Sequence, residues 1–257
     1  ECIRFLRDLD DSQFEYPSEE TIFHVYSEIK SEKELMVVKS YLATQNLEKT
    51  RMIVWSDYDI SDNPLIQEYK DMITFNVYDA HEEAKDTLLE DHPYLSLKDE
   101  KYYLQSDLAR ILLLYKYGGV WVDMDIVLLR DFKPILDQEY MYMWGSETDF
   151  AREGACATVL SLAKGSEFSL ELLKQILVTP ARPATACWGK EMFAPLYQRY
   201  PFPVLPSTFF NTEWCINVKN KGHGDFVESG WFDNKGRGAE YVFDEAYTWH
   251  WHNSTYK

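Results

Sequence analysis

The sequence predicts an α/β fold with a mostly parallel central sheet and a mixed α+β C-terminal half. Two observations support this prediction. Strand-like and helix-like segments alternate along the first third of the chain, and a long apolar run near its middle has the composition of a buried strand. The chain has 257 residues, of which 46% are apolar, enough for one large α/β domain. No internal repeat, low-complexity tract or proline- or glycine-rich linker divides it, so we expect a single domain.

The alternation begins near the N-terminus. Strands are predicted over Thr21–Ser27, Arg51–Trp55 and Ile73–Tyr78. A helix whose apolar face carries Leu35, Val38 and Leu42 separates the first two strands. Asn63-Pro64, a cap residue followed by a first-turn proline, predicts a second helix before the third strand. Because strands and helices alternate, the strands are expected to pair in parallel as βαβ units.

A longer helix and the strand after it form the strongest signal in the chain. The helix is predicted from about Asp99 to Tyr117, and it ends at Gly118-Gly119. It leads directly into Val120–Leu129, an apolar run interrupted by two acids. Such a run predicts one buried central strand.

The second half of the chain is less regular. We predict a strand over Tyr140–Trp144, helices over Phe168–Leu177 and Lys190–Tyr200, and a loop over Val178–Trp188. Residues 206–248 combine glycines, aromatics and short strand-like pieces without a clear period. We therefore expect this half to be mixed α+β on the same sheet.

The composition excludes one broad class of partner. Lys and Arg number 26 against 43 Asp and Glu, which gives a net charge of −17 and an isoelectric point of about 4.7. A surface this acidic repels phosphate backbones, so nucleic acid is not expected as a partner. A small polyanionic ligand would need a local cation to offset that field. The 18 Tyr and 8 Trp residues suit stacking on bases and sugar rings, although core packing alone accounts for such numbers too.

Location and redox state stay open at this point. No stretch reaches the roughly 18 apolar residues that a membrane span needs, and no signal peptide is recognisable. The chain starts at Glu1 without a methionine, which suggests an excised domain whose anchor or address segment was removed; cytoplasm and Golgi lumen both remain open. The four cysteines share no CxxC spacing, so no structural zinc site is expected, and their disulfide state is undecided: Cys2, Cys156, Cys187 and Cys215.

Asp123 and Asp125 are the first candidates for chemistry. Residues two apart in a strand point to one face, so the predicted strand would place both carboxylates side by side. Like charges in an apolar strand are unfavourable unless a cation neutralises them, and Mg²⁺ or Mn²⁺ with oxygen ligands would do so. The alternative is a solvated pair in a loop, because Asp-x-Asp occurs by chance in acidic chains. The flanking apolar residues favour the metal site.

The preceding helix carries a second group of polar residues. Asp107 and Arg110 are three apart and Ser106 and Arg110 four apart, so the three share a helix face. A surface ion pair of this spacing is common and contributes only a few tenths of a kcal/mol. Here the neighbouring positions are apolar, and a charged pair on a largely buried helix is better explained by a polar ligand.

With these residues in place, Ser106–Leu129 (SDLARILLLYKYGGVWVDMDIVLL) resembles the core block of the Asp-x-Asp (DXD) sugar-transferase family. That family includes capsular and outer-chain sugar transferases, and the glucosylating toxins are similar. The match runs from Tyr102 to Phe132 and joins Ser-Asp-x-x-Arg, Tyr-Gly-Gly and Asp-x-Asp at fixed spacing, which is far more specific than Asp-x-Asp alone. It implies the GT-A fold, a Rossmann-like nucleotide-sugar-binding architecture. Residues 1–132 would form the nucleotide-sugar half, and 133–257 the acceptor side and a closing segment.

The resemblance also implies roles for the residues of this block. Asp107 and Arg110 would hold hydroxyls of the transferred sugar, and Ser106 would lie near the nucleoside. Asp123 would contact the ribose and the sugar, and Asp125 would ligate the metal beside the diphosphate. Asp107, Arg110 and Asp123 are therefore the expected catalytic residues.

Three further donor-site residues are expected on the same grounds. Trp121 stands where the family often has Tyr, so its contact with the donor would be altered. His24 and Tyr26, at the end of the first predicted strand, would line the base.

The C-terminal segment Trp249–Ser254 is similar to the segment with which the family closes its site. We favour His250 as a metal ligand, with Asn253 as a second possibility, because a neutral imidazole can bind Mn²⁺-like ions. His252 stands where the family has Trp, and His250 and His252 alternate in a strand-like register. The alternative is an aromatic edge strand that only packs the terminus.

These features predict a glycosyltransferase that moves a hexose from a nucleotide-diphosphate donor to a glycan or other hydroxyl acceptor, with Mn²⁺ or Mg²⁺ as cofactor. A UDP-hexose donor is expected ahead of GDP-mannose, and the resemblance implies retention of anomeric configuration. Two alternatives remain: a metal-dependent nucleotide-sugar hydrolase, and a non-catalytic glycan-binding relative of the transferases.

Overall fold

A computed structural model describes residues 2–98, 102–143, 155–182, 188–211 and 245–251 of the chain. Its strands, in chain order, are β1 (Thr21–Tyr26), β2 (Thr50–Ser56), β3 (Thr74–Val77), β4 (Gly119–Val122), β5 (Ile126–Leu128), β6 (Tyr140–Met143), β7 (Ala155–Leu162), β8 (Val204–Leu205) and β9 (Thr248–His250). The α-helices are α1 (Cys2–Arg7), α2 (Met36–Thr44), α3 (Ala80–Glu83), α4 (Tyr103–Tyr117), α5 (Glu167–Val178) and α6 (Lys190–Arg199). Short 3₁₀ turns cover Asp11–Gln13, Pro64–Tyr69, Pro93–Ser96, Lys133–Ile135 and Ser207–Phe209.

Seven of these strands form one sheet in the order β3-β2-β1-β4-β7-β6-β8. The pairs β3-β2, β2-β1, β1-β4 and β6-β8 are parallel, whereas β4-β7 and β7-β6 are antiparallel. The predicted mostly parallel α/β sheet is confirmed, and the strands of the second half extend the same sheet. Strands β5 and β9 pair antiparallel in a separate two-stranded sheet.

Apolar residues cover both faces of the large sheet, because successive side chains of a strand point to opposite faces. Phe23 and Val25 of β1 belong to a core cluster beneath α2. On the other face, Trp55 of β2 and Trp121 of β4 pack in the cluster that contains the apolar side of α4. Burial on both faces explains why the parallel strands read as continuous apolar runs.

The prediction of one strand over Val120–Leu129 is wrong. The chain leaves the sheet after Val122, turns through Asp123–Asp125 and re-enters strand structure at Ile126, now paired with β9. The Ile126 N–H donates to the Asp123 carbonyl at 3.2 Å, which closes this turn. The physical reason is that the carboxylates have polar partners outside the sheet and cannot be buried among apolar strands without them.

Two predicted helices also differ from the structure. Asn63-Pro64 opens the short 3₁₀ turn Pro64–Tyr69 rather than an α-helix, although Asn63 caps it as expected by accepting from the Leu65 N–H. The long helix begins at Tyr103, because Tyr102 before it has a left-handed backbone with φ 59°. Residues 99–101 lie outside the described residues.

The predicted stop at Gly118-Gly119 is confirmed, and the contacts show why glycine is needed. Both residues have positive φ, 71° and 103°. A Cβ on Gly119 would lie 2.1 Å from the Ile22 carbonyl oxygen, an impossible contact. The two glycines therefore let α4 turn at once into β4, beside β1.

Within the described residues, no helix is both long and apolar enough to cross a membrane. Cys156 on β7 is a buried free thiol whose pKa is raised by burial.

His24 is a core residue of this sheet. It is fully buried, its Nε2–H donates to the Gly118 carbonyl at 2.9 Å, and its Nδ1 accepts from the Trp55 indole N–H at 3.1 Å. Both ring nitrogens are thus occupied in the neutral tautomer. Burial lowers the pKa of His24 from 6.5 to about 4, against the opposing effect of the Gly118 carbonyl.

This shift predicts a specific acid sensitivity. Because the folded-state pKa lies below the unfolded one, the neutral ring stabilises the fold above pH 6.5, and that stability is lost as pH falls from 6.5 through about 4. We expect urea unfolding to show a loss of about 3 kcal/mol over this range from His24. His24→Gln keeps a hydrogen-bond donor but has no titrating ring. The difference in the free energy of unfolding between the wild type and this variant should therefore show this pH dependence. A flat difference would contradict the account.

Candidate active site

A cleft opens where the strand order of the sheet reverses. From β1 the chain proceeds to β2 and β3 on one side and returns to β4 on the other side of β1. In open α/β sheets, ligands bind outside the carboxyl ends of the strands at such a switch point. The structure has a cleft of 490 Å³ at this place, lined by Tyr26 and Ser27 from the end of β1 and by Asp123 and Asp125 after β4.

The start of α4 forms the opposite wall of the cleft. Tyr102, Tyr103 and Ser106 lie there, and the two tyrosines are 45% and 40% exposed. The loop after β1 adds Lys30 and Glu34. The cleft thus combines exposed aromatic rings with carboxylates and a lysine, a mixture suited to a ligand that carries both a flat ring and polar groups.

Arg110 connects two of the predicted catalytic acids. Its Nη1 donates to Asp107 Oδ1 at 3.0 Å and its Nη2 to Asp123 Oδ1 at 2.9 Å. The Arg110 and Asp107 side chains are only 8% and 9% exposed, whereas Asp123 is 21% exposed. Asp123 therefore faces the cleft, and Arg110 and Asp107 lie beneath it.

The charges in this group depend on one another. Burial opposes the charge on Arg110, but Asp123 and Asp107 raise its pKa, so the guanidinium stays charged. Burial raises the pKa of Asp123, and Arg110 counteracts this effect. Removing one member would leave an uncompensated buried charge, a strongly destabilising change.

Trp121 contacts the carboxylate of Asp123, and Gly189 lies against that of Asp107. The Trp121 indole N–H donates to Asp123 Oδ1 at 2.5 Å, and the Arg110 guanidinium lies 5.3 Å from the Trp121 ring. Gly189, just before α6, packs against Asp107, and a Cβ there would lie 3.2 Å from Oδ2. Trp121 is thus placed to orient Asp123, while Gly189 leaves room for Asp107.

Asp125 has a different hydrogen-bonding partner from Asp123. The two residues lie in the turn after β4 rather than on the predicted strand, but both carboxylates still line the same cleft. Asp125 Oδ2 lies 3.2 Å from His250 Nε2 on β9, and its carbonyl accepts from the Trp251 N–H at 3.1 Å. The structure thereby brings Asp125 and His250, which are far apart in sequence, next to each other; a metal shared by them stays a prediction.

A divalent cation fits this pair in one particular way. The described residues contain no cluster of three or more His, Cys, Asp and Glu side chains arranged to hold a metal. Mg²⁺ commonly uses one or two carboxylates together with substrate phosphates and water rather than an all-protein cage. Asp125 Oδ2 and His250 Nε2, 3.2 Å apart, are close enough to share one ion. Asp123 and a diphosphate in the cleft would supply further oxygens.

The remaining predicted residues fall into three groups. Tyr26 and Ser106 line the cleft, and the Tyr26 hydroxyl donates to Asp57 Oδ1 at 2.5 Å. His24 is a buried residue of β1 with both ring nitrogens bonded, which argues against its predicted contact with a base. Asn253 and His252 lie outside the described residues.

Several residues of the site were not predicted. Tyr102 and Tyr103 lie just before and at the start of α4, and both are exposed. In the sequence, two adjacent tyrosines shortly before the Ser-Asp-x-x-Arg motif were a signal that could have identified them. Lys33 lies 3.9 Å from the Trp251 ring and so contacts the closing segment. That long-range contact, like the one between Gly189 and Asp107, has no local sequence signal.

Residues 30–142 match the family described as glycosyltransferase sugar-binding region containing DXD motif. The match includes Arg110, Asp123 and Asp125, so this part of the chain is similar to that family. The resemblance stated from the sequence is thereby confirmed.

Two curated relatives each match less than half of the chain. An uncharacterized protein of Arabidopsis thaliana is 29% identical over 45% of this chain and 18% of its own length. Inositol phosphoceramide mannosyltransferase 3 of Schizosaccharomyces pombe is 26% identical over 37% of this chain and 26% of its own. The matches thus span about a fifth to a quarter of these relatives.

A solved structure matches nearly the whole chain. Mouse xyloside xylosyltransferase 1 superposes with a TM-score of 0.54, covering 93% of this chain and 99% of that one at 10% sequence identity. At this identity the likeness concerns the fold. The predicted GT-A fold is confirmed.

The Trp121–Asp123 contact predicts a measurable contribution to stability. We expect Trp121→Phe to lower the free energy of unfolding by about 1 kcal/mol more than Trp55→Phe does, because a bond to a charged acceptor contributes more than one to a neutral acceptor. Trp55 is a matched control: its indole N–H donates to neutral His24. Urea unfolding at pH 7 measures both variants. Equal losses in the free energy of unfolding would show that the hydrogen bond from Trp121 to Asp123 contributes no more than the one from Trp55 to His24.

Proposed function

We propose that the chain transfers a hexosyl group from a nucleotide-diphosphate donor to a hydroxyl of an acceptor, with the aid of a divalent cation. One observation carries the proposal: two pairs of chemically active side chains meet at the switch-point cleft. Arg110 holds Asp123 on one side, and His250 lies against Asp125 on the other. A nucleotide sugar has two parts that need recognition, the sugar and the diphosphate, and the cleft offers one pair to each.

The nucleoside end of the donor is assigned to the part of the cleft that is lined by Tyr26, Tyr102 and Ser106. Tyr26 and Tyr102 supply aromatic rings there, and Ser106 a hydroxyl. Aromatic faces bind bases by stacking and suit any base. The sugar would then lie over Asp123, whose carboxylate is held in place by Arg110 and Trp121.

The diphosphate is assigned to the Asp125–His250 side. The cleft itself is acidic, since Glu28, Glu34 and Asp123 also line it, and the whole chain carries a net charge of −17. A bare diphosphate would be repelled by this field. Asp125, His250 and Asp123 would hold Mn²⁺ or Mg²⁺, which when bound supplies Lewis-acid stabilisation of the departing diphosphate.

The reaction breaks the bond between the anomeric carbon and the diphosphate oxygen and forms one from that carbon to the acceptor oxygen. The acceptor hydroxyl loses its proton, and the nucleoside diphosphate leaves. Asp123 orients the sugar so that its anomeric carbon faces the acceptor. Because the reacting groups are already aligned in the bound complex, the activation free energy of the transfer is lower. Retention of configuration is part of the proposal and is supported by the family resemblance.

The donor is proposed to be UDP-hexose, with GDP-mannose as the second candidate. The first choice is supported by the resemblance of the Ser106–Leu129 block. The second is supported by the yeast relative, whose name is that of a mannosyltransferase. Acceptor identity is proposed only as far as a hydroxyl-bearing glycan or similar molecule.

A donor panel tests the proposal. The chain is incubated with Mn²⁺ and each of several UDP- and GDP-sugars, and release of nucleoside diphosphate is followed with and without simple glycoside acceptors. A transferase should release it slowly alone and faster with an acceptor. Rapid release without acceptor would instead indicate a hydrolase, and no binding of any donor would indicate a non-catalytic relative.

Asp125→Asn should abolish donor turnover at ordinary Mn²⁺ concentrations, because the amide is a weaker ligand for a hard cation. Asp71→Asn is the matched control: Asp71 is exposed and lies outside the cleft. Thermal unfolding of both variants should resemble that of the wild type. Full wild-type activity in excess chelator would contradict metal dependence.

A further inference from the structure

A second cavity lies beside the donor cleft, at the carboxyl ends of β2 and β3. Its volume is 420 Å³, and Asp57, Tyr78, His81, Tyr94 and Gln105 are among its lining residues. This size lies in the range of small-molecule sites. None of the residues to which the Ser106–Leu129 block or the proposed donor site gives a role is needed to form this cavity, so its use is still unassigned.

The hydroxyl of Tyr78 marks this cavity as a place for a ligand. Tyr78 is 7% exposed, and within the described part of the chain its hydroxyl has no hydrogen-bond partner. A buried polar group without a partner is unfavourable and rare in native proteins. Burial raises the pKa of Tyr78, with Glu83 and Asp57 adding to the effect, so the hydroxyl keeps its proton and can donate.

The surrounding groups offer both donors and acceptors. His81 and Ser96 hydrogen-bond across the rim at 3.1 Å, and Lys98 lies 3.7 Å from Asp57. The Tyr94 ring packs at 4.8 Å from that of Trp188. The site thus combines a partly exposed aromatic ring with several hydrogen-bonding groups.

This chemistry selects among ligand classes. The carboxylates Asp57 and Asp79 outnumber Lys98, which already faces Asp57, so an anionic ligand is disfavoured. A lipid chain would leave the polar groups without partners. A neutral ligand with many hydroxyls and apolar C–H faces fits both requirements, and a sugar residue has this character.

We propose that this cavity binds a sugar residue of the acceptor glycan, at a distance from the hydroxyl that reacts. Helix α4 separates the two cavities: Tyr103 and Ser106 line the donor cleft, while Gln105 and Leu108 line the second cavity. Tyr26, on the donor side, contacts the Tyr78 ring edge-on at 5.7 Å. The role as an acceptor subsite rests on the proposed transferase function; the sugar site itself does not.

The test is direct binding. Methyl glycosides of mannose, galactose, glucose and N-acetylglucosamine, and disaccharides of the same sugars, are titrated onto the intact chain and followed by saturation-transfer NMR and calorimetry. At least one should bind. Tyr78→Phe should weaken that binding by about five- to tenfold, while the thermal midpoint stays unchanged or rises, because an unpaired buried hydroxyl has been removed.

Tyr140→Phe is the matched control. The Tyr140 hydroxyl is also buried without a partner among the described residues, and Tyr140 does not line the cavity. Its removal should leave saccharide binding unchanged. The proposal is overturned if no saccharide binds to the wild type or if both variants lose affinity equally. Displacement of the saccharide by free UDP or GDP would also overturn it, because the cavity would then belong to the donor site.

The donor panel is run on the same preparations, so the two proposals can fail separately. Donor turnover without saccharide binding would reject the second cavity and keep the transferase. Saccharide binding that depends on Tyr78, without turnover of any donor, would keep the sugar site and reject its role as an acceptor subsite.

Discussion

The arrangement of the site depends on one buried guanidinium group, that of Arg110, which two carboxylates share. Arg110 bonds to Asp107 on its own helix and to Asp123 at the end of β4. A buried charge needs such partners, so the register of α4 against the sheet and the point where the chain leaves β4 are coupled. Gly189 lies against Asp107, which extends the same constraint to the start of α6.

The turn after β4 follows from this constraint and creates the second half of the site. With Asp123 held by Arg110 and Trp121, Asp125 lies two residues further along the turn, next to β9 and in the same cleft. The C-terminal segment then pairs with β5, and its His250 reaches Asp125. The active pairs are therefore placed by two different parts of the chain, and the cleft between them lies where the strand order reverses.

Much of this arrangement could be predicted from local patterns, and the rest could not. The Asp107–Arg110 pair and the Gly118-Gly119 stop depend on spacing within one helix and its end, which a sequence displays directly. The direction of Asp123 depends on partners that the strand pattern does not show, so one apolar run was taken as one strand. His24 illustrates the opposite error: its place at a strand end predicted a base contact, but Trp55 and Gly118 hold it in the core.

The central claim, that Arg110 holds Asp123 for the sugar of a nucleotide donor, is tested most directly by calorimetry with Arg110→Lys. Lysine keeps the charge but lacks the planar fork that spans two carboxylates. The affinity for the intact nucleotide sugar should fall by about tenfold or more, a loss of about 1.4 kcal/mol. Binding of the free nucleoside diphosphate should change far less. Equal losses for the two ligands would show that Arg110 only supports the fold, and would contradict the account.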